Sequence, residues 1–260
     1  MSASFRRTAL GASSGIGATY ADRLAKRGHD LVLVARDEQR METLATRLRA
    51  QTGIAVDILP ADLTDSAALA HVESRLREDP SIGLLINNAG AGDFRGFANP
   101  DLDAAENLLR LNVVAVVRLA GAAVPRFLAQ GNGAIINIGS ILGLAPELLP
   151  GLYSATKSFV LTFSQSLQIE LGPRGLYVQA VLPAATRTEI WERGGRSADS
   201  VPNVMDVGEL VDAALVGFDR KEAITIPPLP DDGQWTAFEA ARLAMHPNFR
   251  QAHPAARYGA

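Results

Sequence analysis

A chain of 260 residues is long enough to bury a full core as one large α/β domain. Hydrophobic residues make up 47% and charged ones 20%, which excludes a disordered chain; a net charge of −3 with no Lys/Arg run excludes the footprint of a nucleic-acid binder. There is no cysteine, so disulfides, thiolate metal sites and thiol nucleophiles are excluded, and His29, His71, His246 and His253 show no ligand spacing, so no metal is expected. Residues 1–7 carry no apolar signal core, and no apolar run reaches the ~18 residues needed to span a bilayer. A cytoplasmic protein without a membrane segment is expected.

Along the chain, short apolar runs alternate with longer helical patterns. Strands are expected over 7–10, 30–35, 56–59, 84–87, 134–138, 177–182 and 223–226, and helices over 15–27, 38–50, 66–78, 102–129, 152–171 and 206–218. Runs such as Leu31-Val32-Leu33-Val34 and Ile135-Ile136 are almost continuously apolar, as strands covered by helices on both faces must be. Asp65 is placed to cap the third helix; Gly28 and Gly172 are placed to end the first and fifth. Strand–helix alternation implies right-handed crossovers and a doubly wound parallel sheet, in a single domain over 1–260. Two segments leave the rhythm. Residues 184–204 carry Arg, Gly and Ser without a helical period and read as a mobile substrate loop. Residues 227–260 open on Pro227-Pro228 and read as an extension with one short helix over 234–245.

Gly11-Ala12-Ser13-Ser14-Gly15-Ile16-Gly17 lies between the first strand and the first helix. Glycines there let the backbone turn sharply and approach a pyrophosphate, whose charge meets the helix N-terminus. Tyr153 and Lys157, four residues apart in a helical segment, project from one face; Ser140 follows the fifth apolar strand, where doubly wound sheets place their ligands. Carbonyl reduction needs a proton donor for the developing alkoxide, and alcohol oxidation needs the same group as base. A free phenol, with pKa ~10, is a poor base near neutrality, and a neighbouring ammonium such as that of Lys157 favours the phenolate.

The spacing G-x-x-x-G-x-G, Asp62-Leu63 after the third strand, Asn87-Asn88-Ala89-Gly90 after the fourth and the Ser140/Tyr153/Lys157 set together resemble the short-chain dehydrogenase/reductase family, from Thr8 to Pro227. The resemblance implies a Rossmann-type domain with a seven-stranded sheet in the order 3-2-1-4-5-6-7, and a homodimer or homotetramer. That assembly would form through helices 102–129 and 152–171, where Ala115, Ala120, Gly121 and Ala122 permit close approach. It implies that Gly11, Ser13, Ser14, Gly15, Ile16 and Gly17 hold the pyrophosphate, that Asp62 and Leu63 flank the adenine, and that Asn88, Ala89 and Gly90 line the adenosine side. Tyr153 becomes the acid/base. Lys157 tunes it and holds the nicotinamide ribose, Ser140 orients the carbonyl, and Asn112 holds a water in the proton relay. Pro183, Thr186 and Thr188 resemble the segment that contacts the carboxamide, with Ala184 in place of the usual Gly.

Where NAD-preferring relatives carry an acid, this chain has Ala35, followed by Arg36. A guanidinium can grip a 2′-phosphate through paired hydrogen bonds, so NADP(H) is the expected cofactor; Arg36 as a solvated charge at a helix start is the bland alternative. Thr8-Ala9-Leu10 runs straight into Gly11. Either two residues are missing or Arg6 and Arg7 lie in the first strand. Leu10 then stands where a Thr hydroxyl normally bonds the turn near Asn87, and a shortened or frayed strand is expected. The implied activity is hydride transfer between a nicotinamide and a ketone/aldehyde–alcohol pair. The apolar segment 141–152 (Leu142, Leu144, Leu148, Leu149) suggests a hydrophobic substrate. The alternatives are a 3-oxoacyl-thioester reductase and a non-catalytic nucleotide-binding protein on the same fold.

Overall fold

In the computed structural model, residues 6–10, 12–94 and 96–259 are described, with backbone alone for 6–10 and 198. Seven strands, β1 (Arg6–Leu10), β2 (Asp30–Ala35), β3 (Val56–Pro60), β4 (Ile82–Asn87), β5 (Ala134–Ile138), β6 (Tyr177–Val181) and β7 (Ile224–Thr225), pair in parallel in the order β3-β2-β1-β4-β5-β6-β7. The helices α1 (Gly15–Lys26), α2 (Glu38–Thr52) and α8 (Val207–Asp219) cover one face of this Rossmann-like sheet; α3 (Ser66–Glu78), α5 (Ala115–Gln130) and α6 (Leu152–Leu171) cover the other. The pleat divides β2 between the two layers. Leu31 and Leu33 pack toward α1 and α2, and Val32 and Val34 toward α3 and α5.

Arg6 and Arg7 belong to β1, and the register against β4 shifts between them. β1 has five residues and pairs with both neighbours, so it is no shorter than β3, β5 or β6, contrary to the expected fraying. Gly11 and the Leu10 side chain lie outside the described residues. The expected continuous helix over 102–129 is interrupted: α4 (Leu102–Leu109) passes through a π turn, Arg110–Val114, before α5 begins. The apolar pattern gives no sign of the wider turn, because residues 108–116 are apolar except at Arg110 and Asn112 and so show no shift of face. The stretch Leu102–Gln130 is also long and apolar enough to cross a membrane by length and composition, which corrects the expectation of no such stretch. Its three arginines bind protein groups: Arg110 pairs with Glu106, Arg118 with Glu73, and Arg126 donates to the carbonyls of Leu76 and Ile82 at 2.8–3.0 Å.

Three of the four small residues expected at a subunit contact, Ala115, Ala120 and Ala122, are buried in this protein's own core, and Gly121 alone is exposed. The 184–204 segment is not irregular throughout. It contains α7 (Ile190–Arg193) and a 3₁₀ turn at Ala198–Ser200, and a bridge from Thr186 to Met205 closes its base. The chain divides into two compact units, the second running from Pro228 to Ala260. That unit holds α9 (Asp232–Leu243), on which Trp235 and Phe238 stack 5.4 Å apart.

Candidate active site

The carboxyl ends of the central strands open into one cavity of about 1040 Å³. At one end, Ser13, Ser14, Gly15 and Ile16 form the turn into α1. Gly15 has φ +55°, a left-handed conformation that glycine adopts without strain, and a Cβ there would lie 3.2 Å from the Thr188 methyl. Asp37, Asp65, Asp101 and Asp206 cap α2, α3, α4 and α8, whereas the Ser14 side chain makes no cap bond, so α1 presents its first amides uncapped by any side chain. Exposed N–H groups at a helix N-terminus favour an anion. Gly17 lies on the buried side of α1 and does not line the cavity.

On the next wall, Arg36 is 69% exposed at its side chain and stands 3.8 Å from Asp62. Burial raises the Asp62 pKa, but hydrogen bonds from the Thr64 hydroxyl and amide, with the Arg36 charge, outweigh it and hold the carboxyl below its ordinary value. Leu63, Asn88, Ala89 and Gly90 complete this wall. Arg40, in the first turn of α2, donates to both Glu189 oxygens at 2.8 and 3.0 Å. The segment after β6 is thereby tied across the rim. Pro183, Thr186 and Thr188 line the same segment, and Thr186 is held by its own bond to the Ala184 carbonyl at 3.0 Å.

Ser140, Tyr153 and Lys157 meet at the floor. Ser140 is placed by the end of β5; its Oγ accepts from the Leu142 amide at 3.2 Å and donates to the Pro183 carbonyl at a long 3.4 Å, a bond weak enough to exchange for a substrate oxygen. Lys157 donates to the Ile138 carbonyl at 2.9 Å, and its Nζ lies 5.6 Å from the centre of the Tyr153 ring. Burial raises the Tyr153 phenol above its ordinary value and lowers the Lys157 ammonium to about 8. The direction at Tyr153 is opposite to the one the spacing suggests, because desolvation of a fully enclosed phenol outweighs an ammonium held against a carbonyl.

Asn112 does not line the cavity. It is 2% exposed within the π turn, accepts from the Ala91 amide and donates to the Ala91 carbonyl at 2.9 Å each, and donates to Thr156 at 3.1 Å. Both amide hydrogens are committed, one to the turn after β4 and one to α6, while Asn112 Oδ1 and Lys157 Nζ stand 3.4 and 3.8 Å from the point a Cβ at Gly90 would occupy. The side chain positions the turn after β4 beside Lys157. The structure adds Phe94, Ile190 and Trp191 to the mouth. No motif or period marks them; Phe94 is revealed by its contact with the Tyr153 ring, Trp191 by its contact with Phe94, and Ile190 by its place in the cavity wall.

Fold and site are those of a Rossmann-type oxidoreductase, with one cavity running from the start of α1 to Ser140, Tyr153 and Lys157. The short chain dehydrogenase family model matches residues 8–198, and the chain belongs to that family. A short-chain dehydrogenase from Sphingobium yanoikuyae, solved in complex with NADPH, superposes with a TM-score of 0.96 at 57% identity, covering 98% of this chain and 99% of that one. A bulky-bulky ketone specific alcohol dehydrogenase from Comamonas testosteroni gives 0.91 at 53%, covering 98% of each chain. Among curated relatives, a very-long-chain 3-oxoacyl-CoA reductase-B of Danio rerio is 32% identical over 69% of this chain, which spans only 59% of that relative's length.

Lys157 provides a check on the floor's dryness. Between its lowered value near 8 and its ordinary 10.5, the unfolded chain binds a proton that the folded protein does not, so stability from this group rises with pH across that window. Denaturant midpoints should therefore show wild type gaining on Lys157→Met from pH 8 to pH 10, by up to about 1.4 kcal/mol per pH unit. A pH-independent difference would show that the ammonium is solvated.

Proposed function

We propose that the protein is an NADP(H)-dependent carbonyl reductase/alcohol dehydrogenase acting on a ketone with large apolar substituents. The convergence of Ser140, Tyr153 and Lys157 on one cavity that begins at the uncapped start of α1 carries this reading. The NADPH-bound neighbour supports the cofactor, and the neighbour specific for bulky ketones supports the substrate class.

The residues present fit a phosphorylated dinucleotide. Ser13–Ile16 would take the pyrophosphate, Arg36 the 2′-phosphate, Asp62 and Leu63 the adenine, Asn88–Gly90 the adenosine side and Lys157 the nicotinamide ribose, with Pro183, Thr186 and Thr188 near the carboxamide. When bound, the reduced nicotinamide supplies the hydride. The chain's own work is the proton. Tyr153 gives its phenolic proton to the carbonyl oxygen as the alcohol forms, and Ser140 turns its hydroxyl from Pro183 to that oxygen and stabilises the growing negative charge. Lys157, titrating near neutrality, holds a proton that can restore the phenol. Asn112 keeps the Asn88–Ala91 turn in place beneath. The apolar mouth also admits a 3-oxoacyl chain, as the Danio rerio relative's name suggests; assays with a 3-oxoacyl-CoA beside diaryl and methyl ketones separate the two substrates.

An assembly of subunits belongs to the same proposal. Leu102, Leu109, Val114 and Val117 on the α4–α5 stretch and Phe159 and Ile169 on α6 leave apolar side chains exposed, from 37% to 74%. These would pair between copies in a homodimer or homotetramer. A cytoplasmic location is proposed with it.

Three measurements test this function. Tyr153→Phe should lower NADPH-dependent ketone turnover at least ~100-fold, the scale of lost acid/base catalysis, while cofactor binding changes little; substantial residual turnover would remove Tyr153 from the chemistry. Wild type should prefer NADPH over NADH at least about tenfold in kcat/KM at low salt, the lower end of one charge-assisted hydrogen bond. Arg36→Ala should erode that ratio through KM, since the contact is remote from the hydride. A variant that keeps the full preference assigns Arg36 to solvent. Light scattering at micromolar concentration should show a mass at least twice 27.6 kDa, and a pure monomer would refute the assembly.

A further inference from the structure

Phe94 lies in the loop after β4, outside any regular element, and its ring stands edge-on to Tyr153, with centroids 5.4 Å apart at 86°. Its other neighbour is Trp191, 5.1 Å away, whose indole N–H is fixed to the Thr186 carbonyl at 2.8 Å. Two glycines from different loops clasp the ring. A Cβ at Gly92 would lie 2.4 Å from Phe94 Cζ, and one at Gly194 2.6 Å from Cε2. Neither glycine has a positive φ, so what each position supplies is space rather than a special backbone conformation. The Phe94 amide also donates to the Gly194 carbonyl at 3.3 Å, joining the β4–α4 loop to the segment that carries α7.

Any side chain larger than hydrogen at Gly92 would push the ring away from that backbone. Together with the ring contacts to Tyr153 and Trp191, the two glycines fix the seat of the ring beside the tyrosine. We infer that Phe94 is a specificity-determining residue: the ring seated between Gly92 and Gly194 is the wall that limits the carbonyl substituent on that side of Tyr153. This rests on the carbonyl-reductase reading and extends it to the size of the substituents accepted. An apolar wall distinguishes neighbouring substituents by roughly 10- to 200-fold per methylene-sized clash, so removing a ring has a readable effect.

The test compares kcat/KM for an aryl methyl ketone and a diaryl ketone. Phe94→Ala should shift the ratio at least tenfold toward the diaryl ketone, and Gly92→Ala should shift it the other way by driving the ring into the cavity. In the Gly92→Ala/Phe94→Ala double variant the glycine substitution should add nothing. The ratio of the two ketones' affinities, read from Trp191 fluorescence in a Trp235→Phe background, should shift in the same direction as the kcat/KM ratio, and this readout needs no turnover. Phe94→Leu serves if the alanine variant does not fold. Equal loss for both ketones, or a ratio and affinities unchanged within twofold, would make Phe94 a packing residue only and overturn the inference. Tyr153→Phe run alongside separates the two layers: residual turnover there defeats the proposed chemistry, whereas the fluorescence ratio reports on the wall by itself.

Discussion

The double hydrogen bond between the Asn112 side chain and the backbone of Ala91 joins the scaffold to the site. The turn that leaves β4 must pass close beneath the cavity without a regular ladder to hold it. A residue whose N–H and C=O are both bonded by one buried amide has little freedom left. The same amide reaches Thr156 on α6, one residue from Lys157. The spacing between the β4 turn and the helix of Tyr153 and Lys157 is thus set by one side chain. The π turn of Arg110–Val114 is where the long helical stretch adapts to bring it there, and such turns are frequent at functional sites.

Much of this organisation is legible in the residue order. Continuous apolar runs in β2, β4 and β5 announce strands covered on both faces, and α3 and α6 begin and end where the pattern places them. The glycine turn, Ser140, Tyr153 and Lys157 are legible because their spacing is tied to local geometry: a strand end, a helix start, one helix face. The π turn is not, since Leu108 to Val116 keep an ordinary apolar rhythm. The partners of the Asn112 side chain are hidden for a related reason, because an amide's partners depend on what the fold brings to it. Ala115, Ala120 and Ala122 look like interface residues when only their size is considered; their facing is a property of the packed layers. Phe94 and Trp191 are separated by nearly a hundred residues, and no local signal connects them.

The floor also shows how burial and charge compete in an acid/base pair. Four residues apart on one helix face, Tyr153 and Lys157 suggest an ammonium stabilising a phenolate. In the folded protein the ammonium is spent on the Ile138 carbonyl and both groups are enclosed, so each is pushed toward its neutral form. A neutral phenol beside a readily protonated amine is a resting state suited to donation. Removal of a proton from an alcohol then requires added positive charge close to the phenol, which an oxidised nicotinamide ring carries.

The glycine clasp has a consequence for descent. Gly92, Phe94 and Gly194 occupy two loops far apart in the chain, yet neither glycine can gain a side chain while the ring stays, since a methyl group at either collides with it. Exchange of Phe94 for a smaller residue would free Gly92, whereas Gly194 would still face the Ile190 carbonyl 2.9 Å from an added Cβ. In descent, a change at the ring would therefore have to come before a side chain could appear at Gly92.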